Sequence, residues 1–75
     1  MFEVFGFYKF KKIKSLKKNK VLLQDLLIKK NIKGTIIIAN EGTNATISGK
    51  TNDLKLTIDK IKKTLNFKKF DSQNT

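Results

Sequence analysis

Seven lysines fall within the twelve positions from Lys9 to Lys20, namely Lys9, Lys11, Lys12, Lys14, Lys17, Lys18 and Lys20. Ammonium groups at this density suit one task above others, which is to neutralise a run of phosphates and gain affinity by releasing condensed counterions. A second polar cluster, Asn40-Glu41-Gly42-Thr43-Asn44, lies mid-chain, where Glu41 and Asn44 offer a carboxylate and an amide to a partner. The same residues are turn formers, because Asn closes turns through its own backbone and Gly relieves strain. Turn architecture is therefore the first reading of Asn40, Glu41, Gly42 and Asn44, and recognition the second.

Composition removes most other chemistry. The 75 residues include no Cys and no His, so thiolate nucleophiles, Cys/His zinc sites and imidazole bases are all missing. No catalytic residue, metal ligand or cofactor is expected within the chain. Lys supplies all 17 basic residues, which against 6 acidic ones give a net charge of +11. An AT-biased genome explains Lys in place of Arg but not the excess of positive charge, and a polyanion is the natural partner. A solvated face that merely aids solubility is the plainer alternative. Binding to anionic lipid would require an aromatic-tipped amphipathic helix that the sequence lacks. No apolar run nears the ~20 residues of a bilayer span, and Met1-Phe2-Glu3-Val4 lacks the basic-then-apolar order of a signal peptide. A cytoplasmic location without a membrane partner is expected, and the sequon Asn44-Ala45-Thr46 is discounted accordingly.

The elements that position these residues follow from periodicity. A chain of this length makes one domain, residues 1–75, and 39% hydrophobic content without proline is too apolar for a disordered tail. From Phe2 to Phe10, Phe2, Val4, Tyr8 and Phe10 alternate with Phe5 and Phe7, which predicts a strand apolar on both faces and set inside a sheet. From Ser15 to Lys30 the spacing becomes a helical stripe of Leu16, Leu23, Leu26 and Leu27, with Ser15 as N-cap and Asn31 to Gly34 closing the helix. Thr35 to Ala39 is β-branched and short and reads as an interior strand. A hairpin follows with Gly42 at positive φ, then a strand from Ala45 to Ser48 that Gly49 breaks. Thr51 or Asn52 caps a second helix with the stripe Leu54, Ile58, Ile61, Leu65, and Phe67 to Asp71 supplies a last strand. The result is an α+β chain of order βαββαβ, a split βαβ with an antiparallel sheet under two helices and its other face open.

Phe7-Tyr8-Lys9-Phe10, followed by the run from Gly34 through Thr35-Ile36-Ile37-Ile38-Ala39-Asn40-Glu41-Gly42-Thr43-Asn44-Ala45-Thr46-Ile47-Ser48 to Gly49, resembles the start of the rhodanese-like tRNA uridine hydroxylases. Thr43 stands where that family usually has Ile, and Ala45 where it usually has Gly. The resemblance implies a ferredoxin-like, acylphosphatase-like N-terminal domain followed by a rhodanese domain. The whole enzyme would hydroxylate the wobble uridine of certain tRNAs in an oxygen-dependent reaction, with its reactive Cys in the rhodanese domain. The expected role of this chain is then accessory, helping to position tRNA through its phosphates, with no metal. A free-standing basic RNA-binding module is the alternative. RNA-recognition domains share the βαββαβ order and stack bases on the open sheet face. The third strand here carries no aromatic, so a full platform is not expected, and Phe5 and Phe7 read as core or interdomain residues. A small phosphatase of the acylphosphatase kind is excluded, since its phosphate-holding loop needs an Arg and the chain has none.

Overall fold

The computed structural model describes residues 1–74 and has the expected element order. The elements are β1 (Phe2–Phe10), α1 (Leu16–Lys29), β2 (Lys33–Ala39), β3 (Gly42–Lys50), α2 (Thr51–Leu65) and β4 (Ser72–Asn74). The strands pair antiparallel in the order β2-β3-β1-β4, giving the α+β, ferredoxin-like arrangement. Register places Phe5 opposite Ile47 and Phe7 opposite Ala45. Strand parity sends all four to the helix side, where they are buried with Leu23 and Leu27 of α1 and Leu54, Ile61 and Leu65 of α2. The other parity class of β1, Phe2, Val4, Tyr8 and Phe10, is exposed on the open face.

Both helices end on an Asn. Asn31 and Asn66 take left-handed φ of 54° and 60°. In each case the next residue donates its N–H five positions back, Ile32 to the Leu27 carbonyl at 2.8 Å and Phe67 to that of Lys62 at 3.0 Å. Each Asn N–H bonds three back, to Ile28 and Lys63. This is the Schellman arrangement, with Ile32 and Phe67 as its apolar followers. Of the segment Asn31 to Gly34 expected to close α1, Asn31 and Ile32 do so, whereas Lys33 and Gly34 lie inside β2.

Several local expectations are corrected. Ser15 sits before α1 at φ 54°, ψ 52° and its side chain makes no cap bond. An N-cap oxygen reaches the first-turn N–H groups from extended backbone, which Ser15 does not have. Neither Thr51 nor Asn52 caps α2, because β3 runs into the helix without a loop and extended Lys50 takes the cap position. The Thr51 hydroxyl lies 3.3 Å from the Met1 carbonyl and 3.1 Å from Glu3 Oε1, pinning the chain start. β2 is an edge strand, not an interior one, and Ile37 is 55% exposed on it; β-branched residues report a strand but not its place in a sheet. Gly42 has no positive φ and belongs to β3, leaving Asn40-Glu41 as the turn. A Cβ there would lie 2.2 Å from the Lys9 carbonyl oxygen, so close backbone approach is what demands glycine. Gly49 does not break β3; it pairs with Glu3 and leaves space for the Ile32 side chain. Phe67 to Asp71 is not a strand: Phe70 stacks on Phe7 with centroids 4.4 Å apart, plugging the end of the core, and β4 begins only at Ser72.

Thr57, fully buried in α2, has a hydroxyl oxygen with no hydrogen-bond partner among the described residues. An orphaned buried hydroxyl costs about 1–3 kcal/mol. Thr57→Val keeps the shape and removes that cost, so the melting temperature is expected to rise by several degrees in calorimetry. A fall instead would show that the hydroxyl is satisfied in solution.

Candidate nucleic-acid interface

The basic segment between β1 and α1 is held rigid by backbone and by one buried side chain. The Lys11 and Ile13 N–H groups donate to the Glu41 and Asn40 carbonyls, each at 3.0 Å, so the segment runs along the β2–β3 turn. Ile13 is buried and anchors it, which leaves its sequence neighbours Lys12 and Lys14 exposed to solvent. Ser15 then swings the chain into α1, and the Asn19 amide bonds the Lys14 carbonyl at 2.7 Å to close the corner.

A groove of about 670 Å³ opens here between the segment, the start of α1 and the end of α2. Lys11, Lys12, Lys14 and Lys18 line it together with Ser15, Asn19, Thr64 and Asn66, and among the described residues no carboxylate does. Lys11 spans it, its Nζ donating to the Asn66 carbonyl at 2.7 Å. The first turn of α1 holds no acidic residue, so the positive end of the helix dipole adds to the lysine field. The arrangement can hold phosphate oxygens by charge and by ammonium and amide donors.

The structure thus brings together four of the seven candidate lysines. Lys17 and Lys20 are exposed on α1 outside the groove lining. Lys9 faces the helix side of β1, where its Nζ lies 3.6 Å from Asp71 and 5.5 Å from the Phe67 ring centroid. Asp71 also accepts from the Phe10 N–H, so this cluster ties the chain end to β1. The hairpin motif is divided. Asn40 and Glu41 hold the basic segment through their carbonyls, Gly42 permits the approach of β1, and Asn44 faces away, on the open sheet beside Tyr8. Thr43 is 2% exposed and its hydroxyl bonds the Ile37 carbonyl at 2.9 Å, which makes it compatible with a buried site. Ala45 packs its methyl into the core.

The lining by Thr64 and Asn66 had no signal in local spacing, because it comes from the far end of α2. No helix is long and apolar enough to cross a membrane among the described residues.

Over residues 2–75 the chain matches the family described as the UPF0176 acylphosphatase like domain. It is 84% identical over 74 residues to a tRNA uridine(34) hydroxylase of Pelagibacter ubique (strain HTCC1062), covering 99% of this chain and 25% of that protein. A tRNA uridine(34) hydroxylase of Ehrlichia ruminantium (strain Welgevonden) is 42% identical over 48 residues, covering 64% of this chain and 18% of its own. The chain spans about a quarter of the length of the first of these relatives.

Proposed function

The chain belongs to the UPF0176 acylphosphatase-like domain family, and from that membership we propose that it is the N-terminal accessory domain of a tRNA uridine hydroxylase, holding tRNA by its phosphates for modification of the wobble uridine. The observation that carries the RNA-facing role is the groove at the β1–α1 corner, where four lysines converge with no carboxylate among the described lining residues. Phosphate contacts of this kind fix register and orientation rather than sequence. The reactive chemistry is assigned to a rhodanese domain elsewhere in the protein, in keeping with a chain that has neither Cys nor His. The work then takes place where tRNA is, in the cytoplasm.

The test is tRNA affinity of the intact protein with Lys12, Lys14, Lys17 and Lys18 all replaced by Gln. All four side chains are exposed, so the fold is expected to survive. The affinity is expected to fall at least tenfold at low salt, since each phosphate contact contributes through counterion release. An unchanged affinity would remove the RNA-facing role and leave a domain that only packs on its catalytic neighbour.

A further inference from the structure

The open face of the sheet carries features that phosphate binding does not use. Tyr8 and Phe10 lie side by side on it with ring centroids 4.5 Å apart, 38% and 65% exposed. Next to Tyr8 on the same face is Gly6, whose lack of a side chain leaves a notch that the movable end of the Asn74 side chain reaches into, its Oδ1 2.8 Å from where a Cβ would lie. Register surrounds the pair with neutral hydrogen-bonding groups: Tyr8 stands between Asn44 and Ser72, and Gly6 between Thr46 and Asn74. These residues bound one concavity of about 270 Å³. Among the described residues no charged side chain lines it, while Lys33 and Lys50 occupy the same face further out.

We propose that this concavity binds one unpaired nucleobase of a single-stranded RNA, stacked on Tyr8 over the Gly6 notch. Amides and hydroxyls, which both donate and accept, match the mixed donor and acceptor edge of a base, whereas a carboxylate or ammonium lining would not. An aromatic ring supplies the stacking, which is worth about 1–3 kcal/mol per base. The net charge of +11 makes a polyanion the complementary occupant of an otherwise uncharged site, with the flanking lysines within the strand's reach. The platform is smaller than that of a full RNA-recognition sheet, because β3 offers no aromatic, so one base is held rather than two or three. The proposal rests on the RNA-facing reading above but uses a different surface.

Tyr8 is the single Tyr and the chain has no Trp, so intrinsic emission reports on this site alone. The 75-residue chain is titrated with a short oligouridylate and with an abasic ribose-phosphate strand of equal length, following Tyr8 emission and the anisotropy of labelled strand. The oligouridylate is expected to quench Tyr8 and to bind about tenfold more tightly than the abasic strand. Tyr8→Ala removes that difference, and so does Gly6→Val, which fills the notch; at Gly6 a Cβ meets first the movable end of the Asn74 side chain, and circular dichroism of both variants checks that the sheet is kept. Lys12→Gln with Lys14→Gln weakens both strands alike and leaves the quench at saturation. Equal binding of the two strands, with Tyr8 emission unmoved, would overturn the base site while leaving the lysine groove standing. Binding of neither strand would overturn both. A dimer in light scattering whose formation itself quenches Tyr8 would give the face to a second copy of the chain and overturn the base site as well.

Discussion

Gly34→Ala is expected to cost about 3 kcal/mol and to lower the melting temperature by roughly 12–24 °C, a large share of the stability of a domain this size. Gly34 sits in edge strand β2 at φ +122°, backbone that L side chains rarely adopt. A Cβ built there would lie 2.1 Å from the Thr46 carbonyl oxygen and 2.8 Å from the Ile47 Cα, both backbone of β3. Neither atom can swing aside, so the two strands would have to separate. Gly6→Ala is the control: its φ is ordinary and its nearest neighbour is the end of the Asn74 side chain, and a change within about 1 kcal/mol is expected. Thermal denaturation followed by circular dichroism measures both. Gly34→Ala melting within a few degrees of the parent would show that β2 is not held as described.

Between 50 and 200 mM monovalent salt, affinity for tRNA is expected to fall about 50- to 150-fold. The four groove lysines, at about 0.7–0.9 counterions released per phosphate contact, set a log–log slope of roughly −3 to −3.5. Lys11 already donates to Asn66, but its ammonium keeps two further donors for a phosphate. Lys9, held between Asp71 and Phe67, contributes nothing to this slope, so Lys9→Gln leaves it unchanged while Lys12→Gln, Lys14→Gln and Lys18→Gln in the groove flatten it step by step. A slope near zero in the parent protein would mean that tRNA is held by something other than the groove. Affinity alone does not separate these cases, because a lost hydrogen bond and a lost phosphate contact both weaken binding but only the second changes the salt dependence.

The alternation in Phe2 to Phe10 was enough to assign β1 its two faces, because period two admits only one division of side chains, and Phe5 and Phe7 went to the core. The stripe Leu54, Ile58, Ile61, Leu65 likewise marked the buried side of α2. Glycine was harder to read. Gly34, Gly42 and Gly49 were legible as special positions, but whether each serves φ, close approach or space for Ile32 depends on which strand lies alongside. Asn31 lay within the segment expected to close α1, whereas Asn66 carries the end of α2 with no glycine to announce it. As for the site, the lysine run was plain in the sequence, yet its division into groove, helix face and core edge was not. Lys11 meets Asn66 from 55 positions away, and Lys9 meets Asp71 only because the tail folds back on β1.

The sheet order has a consequence for how the protein is made. β1 is synthesised before the other strands of the sheet but sits inside it, and its partners are residues 42–50 and 72–74. At roughly 5–20 residues per second, the ribosome takes about 2–8 s to add the forty residues between Phe10 and Lys50. Through that interval Phe2-Glu3-Val4-Phe5-Gly6-Phe7, with a single charge, is an unpaired and β-prone segment of nascent chain. The lysines that emerge directly behind it act as gatekeepers, since like charge keeps neighbouring nascent chains apart until β3 arrives.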